Sequence, residues 1–209
     1  MLAQYSTGQN GYQGAVGELD RLDLEKAASA AFDLEGARSA IADFLVALGR
    51  DLSDPHLAET PRRVALAFEE MLTARPATWT TFPNSEGYTD LVLVKNIPFH
   101  SLCQHHLLPF RGVAHIGYLP GSRLIGLSKL ARGLELFARD LQVQERLTVQ
   151  TVQWLMETLD ARGAGVVLEA EHLCMSLRGV QAAGTMTTTA AFRGELAVPG
   201  PLSERFFSR

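Results

Sequence analysis

The spacing of apolar residues predicts that the first part of the chain is helical. Apolar side chains recur at helical spacing over residues 23–48, with Gly36 as a point where the segment can divide into two helices. Gly49 follows the last apolar position and is expected to end the helix, because glycine is favoured just beyond helix C-termini. Residues 1–22 lack this spacing and are predicted to form a mobile tail.

A second helix is predicted to begin where Thr60 is followed by Pro61. Threonine is a good N-cap and proline fits the first helical turn, so this helix is expected to run to about Thr73. The stretch that follows contains two prolines and is expected to be a connection. Residues 23–88 are therefore predicted to form an N-terminal helical segment.

Residues 89–209 alternate between strand-like and helical patterns. Four segments have the short apolar or alternating pattern of strands, and two have helical spacing. The strands are expected at residues 90–100, 110–119, 166–174 and 185–193, and the helices after Gly126 and at residues 144–160. Pairs of strands on either side of a helical pair predict an α+β domain with a mostly antiparallel sheet.

The composition is typical of a globular protein in a reducing compartment. Of the 209 residues, 46% are hydrophobic and 20% are charged. No apolar run approaches the roughly 20 residues that cross a bilayer, and the N-terminal residues do not read as a secretory signal. With only two cysteines, a cytoplasmic location is expected. The net charge of −4 argues against a surface that coats nucleic acid, but not against an anionic small molecule.

Both cysteines lie close to histidines, which predicts a metal site. Cys103 precedes His105 and His106, and Cys174 follows His172. Catalytic zinc sites commonly combine three nitrogen and sulfur ligands with a water, so Cys103, His106 and Cys174 are the candidate ligands. His105 and His172, the other two histidines next to the cysteines, are candidates for proton transfer near neutral pH. The alternatives are two buried cysteines or a disulfide, with histidines that only pack beside them.

Basic residues near a predicted helix start suggest a binding site for an anion. Ser128 can cap the helix, and Lys129 and Arg132 lie one turn apart on the same face. Free N–H groups and the helix dipole favour a phosphate at such a position. Arg178 follows Cys174 closely and can join them, which would imply a phosphorylated substrate.

The start of the next helix carries an amide and a carboxylate, Gln144 and Glu145. A carboxylate can accept two hydrogen bonds from the N1–H and 2-amino groups of guanine. Glu145 is therefore a candidate purine anchor.

Five motifs carry a resemblance to a known family. They are Glu-Thr-Pro-Arg-Arg-Val-Ala at 59–65, Ser-Leu-Cys-Gln-His-His at 101–106, Gly-Leu-Ser-Lys at 126–129, Gln-Val-Gln-Glu-Arg-Leu-Thr at 142–148 and His-Leu-Cys-Met-Ser-Leu-Arg-Gly-Val at 172–180. In type and order they resemble the GTP cyclohydrolase I family, zinc enzymes that open pterin and tetrahydrofolate synthesis.

The resemblance implies a fold, an assembly and a set of roles. The fold is the tunnelling fold, an antiparallel sheet with a helical pair behind an N-terminal helical segment. Family members form homodecamers with active sites between subunits, and they convert GTP to formate and 7,8-dihydroneopterin triphosphate. By position the matched residues are Cys103, His106 and Cys174 for zinc, His105 and His172 for proton transfer, Gln144 and Glu145 for guanine, and Ser128, Lys129, Arg132, Arg178 and Arg63 for the triphosphate.

Two departures from the family pattern leave other functions open. Gln104 stands where the family usually has glutamate, and Leu66, three residues after Arg63, stands where bacterial members often carry lysine. A diverged cyclohydrolase with a different product is therefore one alternative. The other is a non-catalytic module in which zinc, or a disulfide between Cys103 and Cys174, holds the fold together.

Overall fold

The computed structural model describes residues 32–208 and confirms the predicted α+β class. The predicted tail, and the part of the first helical segment before residue 32, lie outside the described residues. The helices are α1 (Leu34–Ala47), α2 (Thr60–Leu72), α3 (Leu127–Ala138), α4 (Gln144–Leu159), α5 (Leu173–Ser176) and α6 (Pro201–Glu204). The strands are β1 (Thr81–Pro83), β2 (Val92–Cys103), β3 (Pro109–Leu119), β4 (Arg123–Ile125), β5 (Leu141–Gln142), β6 (Gly163–His172) and β7 (Met186–Gly194).

The first two helices of the described residues begin at different residues from those predicted. Asp33 caps α1 by accepting a hydrogen bond from the Gly36 N–H at 2.9 Å, so the glycine lies within the first turn. Glu59, not Thr60, is the N-cap of α2; it makes no side-chain cap hydrogen bond, and the Thr60 hydroxyl donates to the His56 carbonyl. Pro61 lies in the first turn, as predicted.

The main sheet has the strand order β5-β2-β3-β6-β7. Strands β2, β3, β6 and β7 are antiparallel neighbours, which confirms the predicted sheet. Strand β5 pairs in parallel with the end of β2, at Leu102 and Cys103. A separate ribbon of β1 and β4, formed in part by the predicted connection, was not expected from the sequence.

Helices α3 and α4 cover the sheet and complete the core. Leu130, Leu134 and Phe137 of α3 are buried, as their spacing predicted. Gly133 allows close packing of the helices, since a Cβ there would lie 2.2 Å from the Trp154 ring of α4. The predicted arrangement of an antiparallel sheet with a helical pair is thus confirmed. The candidate site lies where strands β2 and β6 end, at Cys103 and His172. In residues 32–208 no helix is both long and apolar enough to span a membrane.

Candidate metal centre

The first group of candidate ligands lies in the tight turn that joins β2 to β3. The Cys103 N–H donates to the Leu108 carbonyl at 2.9 Å, and the Cys103 carbonyl accepts from the N–H groups of His106 and Leu107. Leu107 takes a positive φ of 55°, which closes the turn. The turn places the Nδ1 atom of His106 3.7 Å from the Sγ atom of Cys103. Cys103 is buried at the strand end, and His106 is exposed.

The second group, His172 and Cys174, lies near the first because of how strands β3 and β6 pair. Strand β6 pairs with β3 so that His172 lies opposite Phe110, close to the β2–β3 turn. Strand β6 ends at His172, and Cys174 lies in the single turn of α5 rather than at the end of a strand as predicted. Two cysteines about 70 residues apart in the sequence thereby become neighbours.

The three candidate ligands form one cluster. Donor atoms of Cys103, His106 and Cys174 all lie within 4.8 Å of one another, and both cysteines are free thiols. Donors on one tetrahedral zinc ion lie about 3–4 Å apart, given Zn–S and Zn–N distances of about 2.3 and 2.0 Å, so small side-chain rotations suffice. Two sulfurs and one imidazole nitrogen also match the ligand preference of zinc. The donor set therefore fits a zinc ion.

Burial raises the pKa of the Cys174 thiol, and the adjacent Cys103 thiol raises it further. Arg178 opposes this shift, so its guanidinium lies near enough to influence the cluster. A cation bound between the two sulfurs stabilises both thiolates and reverses the preference for the protonated form.

His105 lies in the exposed part of the turn. Its Nδ1 atom is 3.8 Å from the Sγ atom of Cys103, and its ring stands at 82° to that of His106. It lies beside the Cys103, His106 and Cys174 cluster, and its separate role in proton transfer stays a prediction.

His172 is held much more firmly. Its ring stacks on Phe110 with the ring centres 4.6 Å apart and the planes 3° from parallel. Its Nε2 atom lies 2.8 Å from the side-chain oxygen of Gln144. Burial lowers the pKa of His172, and the carboxylate of Glu145 opposes that shift. Nothing in the spacing of the sequence identified Phe110 as a partner, because the contact depends on the β3–β6 register.

The predicted guanine residues occupy the first turn of α4. Glu145 is exposed and contributes to the potential at His172. Gln144 is buried, and its side-chain amide is hydrogen-bonded to His172 and to strands β6 and β7. A guanine contact at Gln144 stays a prediction.

The predicted phosphate contacts are less closely gathered. Ser128 and Arg132 are exposed on α3 and Lys129 is half-buried; Gly126 is the N-cap, so the predicted cap at Ser128 is wrong. Arg132 lines a cavity of about 180 Å³ between β2 and α3. Arg63 on α2 donates to the His56 carbonyl and to the Thr60 hydroxyl. Across residues 32–208, no hydrogen bond or ion pair links these four residues to the three donors.

Fold and site together define an α+β protein with a Cys-His-Cys centre that fits zinc. The family profile described as GTP cyclohydrolase I matches residues 37–209. GTP cyclohydrolase 1 of Corynebacterium glutamicum is 52% identical over 168 residues, covering 78% of this chain and 86% of the relative. That of Streptomyces griseus is 46% identical over 179 residues, covering 83% of this chain and 89% of the relative.

These matches place the chain in the GTP cyclohydrolase I family, and it is an enzyme. Among solved structures, archaeosine synthase QueF-Like in the apo form has a TM-score of 0.41 and 15% identity. That match covers 52% of this chain and 96% of the other, and it is too distant to add to the assignment.

Proposed function

We propose that this enzyme hydrolyses GTP, releases formate and forms 7,8-dihydroneopterin triphosphate, with zinc held by Cys103, His106 and Cys174. The observation that carries the proposal is the meeting of these three donors within 4.8 Å, in a chain 52% identical to a GTP cyclohydrolase 1. Zinc in such a site supplies a Lewis acid that makes water a better nucleophile near neutral pH.

The chain's own part in the chemistry is proton transfer by His105 and His172. Opening the imidazole ring of guanine requires a proton at the ring nitrogen that leaves C8, and release of formate requires further transfers. Both histidines lie beside a candidate ligand, and imidazole exchanges protons readily near neutral pH. The stacked and hydrogen-bonded ring of His172 supports a fixed role in this step.

Glu145 is the proposed anchor of the guanine base. Its exposed carboxylate stands in the first turn of α4, and its charge acts on His172, so a base bound to it would lie near that ring. Accepting hydrogen bonds from N1–H and the 2-amino group selects guanine over adenine, because adenine lacks both donors in that arrangement.

The triphosphate is proposed to bind Ser128, Lys129, Arg132, Arg178 and Arg63. Arg178 is close enough to influence Cys174, whereas no polar contact joins the other four to the donor atoms within the described residues. We propose that a neighbouring subunit brings part of this set to each site, in a homodecamer of the kind the family resemblance implies. The proposed cytoplasmic location follows from the need for reduced thiols at the metal.

The test is to incubate reduced, zinc-loaded protein with GTP and to measure formate and pterin in the same sample. The pterin is detected by its fluorescence after oxidation. Formate and dihydroneopterin triphosphate in equal amounts are expected. Formate without pterin would indicate a diverged cyclohydrolase with a different product. Bound zinc without either product would contradict the proposal and favour the non-catalytic module.

A further inference from the structure

The side chain of Gln144 is buried, and its nitrogen end is surrounded by acceptors. The residue is 1% exposed, and its Nε2 atom lies 3.1 Å from the Leu168 carbonyl oxygen and 2.9 Å from that of Thr187. The Thr189 hydroxyl oxygen lies 3.2 Å away. Carbonyl oxygens only accept hydrogen bonds, so the group that faces them must be the NH2 group of the amide. Strands β6 and β7 thus set the orientation of this amide.

The opposite end of the amide faces His172. With the NH2 group fixed toward the strands, the Oε1 atom lies 2.8 Å from the Nε2 atom of His172. An amide oxygen only accepts, so Nε2 of the histidine must carry a hydrogen. The parallel stack on Phe110 keeps the ring in the plane where this bond forms. In the neutral imidazole the other nitrogen, Nδ1, is then unprotonated.

We propose that Gln144 is a positioning residue that holds the neutral His172 as its Nε2–H tautomer and leaves Nδ1 as the nitrogen that exchanges a proton with the substrate. This inference rests on the proposed function of His172 as a proton-transfer residue. The Nε2–H bond to Gln144 is kept whether or not Nδ1 is protonated, so the ring need not move between the two states. Both hydrogens of the Gln144 amide are then taken by the strands, so the base is recognised by Glu145 without a donor from Gln144.

The direct test is neutron diffraction from crystals of the zinc-loaded protein in heavy water. The crystals are grown near pH 8, above the ordinary histidine pKa of about 6.5, so that the neutral ring is seen. Deuterium on Nε2 of His172, with none on Nδ1, is the expected result. Deuterium on Nδ1 would overturn the proposal. This measurement needs no turnover, so a failure of the proposed function, seen as no product from GTP, is distinguishable from a failure here.

Kinetics of Gln144→Leu separate positioning from guanine binding. Loss of a partner that orients a histidine typically costs about 10–100-fold, and we expect that loss in kcat with KM for GTP within about twofold and zinc content unchanged. A raised KM with an unchanged kcat would overturn the proposal and indicate a guanine contact.

A second buried glutamine provides the matched control. Gln142 is 2% exposed; its amide donates to the Phe137 carbonyl and to Gln150 and accepts from Arg146, and within residues 32–208 it makes no hydrogen bond to His172. Gln142→Leu therefore removes a comparable buried network and is expected to lower the melting temperature similarly while kcat stays within about twofold. An equal loss of kcat in both leucine variants would mean that the effect is structural and would contradict a positioning role. Should Gln144→Leu fail to fold, the neutron measurement still decides.

Discussion

The two histidines beside the metal cluster differ sharply in how they are held. His105 stands in an exposed turn, where its close polar contact within the described chain is the Cys103 sulfur at 3.8 Å. His172 stacks on the buried ring of Phe110 and is hydrogen-bonded to a buried amide. The β2–β3 turn is held by backbone hydrogen bonds, whereas the ring of His172 is held by contacts with the core. A histidine close to a cysteine is the same signal in the sequence, yet within the described residues only His172 stacks on a buried ring and bonds to a buried amide.

The largest effect is expected from removing a ligand shared by the two segments. Cys174→Ser replaces a thiolate with a hydroxyl, a poor zinc ligand, so both zinc and turnover are expected to be lost. Zinc per chain and formate release are measured on the same preparation. Since Cys174 is half-buried and the change is nearly isosteric, the protein is expected to stay folded. Retention of a full equivalent of zinc would show that Cys174 is not a ligand.

The next largest effect separates the two histidines. His105→Ala and His172→Ala are each expected to keep zinc and to lose about 10²–10⁴-fold in turnover, the usual worth of a general acid or base. Only His172→Ala is expected to lower the free energy of unfolding, by about 1 kcal/mol, because it removes an aromatic stack. His56→Ala, in an exposed loop, is the control. Normal product formation by both site variants would contradict the proton-transfer roles.

Phe110→Ala is expected to remove the buried ring on which His172 stacks and so to destabilise the protein. Phe110 is fully buried, and removal of such a ring typically costs about 3–5 kcal/mol through lost burial and the cavity it leaves. The free energy of unfolding is measured by urea titration. Phe82→Ala is the matched control, because Phe82 is 53% exposed and surface changes usually stay within about 0.5 kcal/mol. Similar losses in the two variants would mean that Phe110 is not part of the core that holds His172.

The smallest effect concerns a third histidine, in the sheet and away from the cluster. His115 is buried in β3; its Nδ1 atom lies 3.3 Å from the Asn96 N–H, and its Nε2 atom lies 3.9 Å from the Glu169 carboxylate. Burial lowers the pKa of His115; Glu169 opposes the shift, and Lys95 adds to it.

The sign of the resulting pH dependence follows from that lowered pKa. The unfolded chain binds the proton more readily, so the stability contributed by His115 is fully present above its unfolded pKa of about 6.5 and is lost as pH falls through the lower folded value. His172 shifts in the same direction. His115→Gln is therefore expected to reduce, without abolishing, the drop in urea midpoint between about pH 7.5 and pH 5.5. An unchanged drop would contradict the contribution of His115.

The sequence predicted the elements and the chemistry better than the contacts between them. Apolar spacing predicted α3, α4 and the four long strands, since burial of one face decides each of these elements. The clustering of Cys103, His106 and Cys174 was also predicted. The cap residues at Thr60 and Ser128 were wrong by one or two positions, because several adjacent residues satisfy the same local rule.

The support around His172 was beyond prediction from the sequence. Phe110 meets the ring only because β3 pairs with β6 in one register, and Gln144 reaches it only because α4 packs against the sheet. The β1–β4 ribbon was missed for a related reason: its three-residue strands lie 42 positions apart at Thr81 and Arg123, and no periodicity marks so short a pairing. Long-range register, which no single segment encodes, decides all three contacts.

The central claim is that two distant segments meet in one zinc site. X-ray absorption at the zinc edge of the reduced, purified enzyme tests it most directly. One zinc per chain is expected, with two sulfur neighbours at about 2.3 Å and nitrogen or oxygen neighbours at about 2.0 Å, and Cys174→Ser is expected to lose the bound zinc. A shell without sulfur, with four sulfurs, or unchanged in that variant would contradict it.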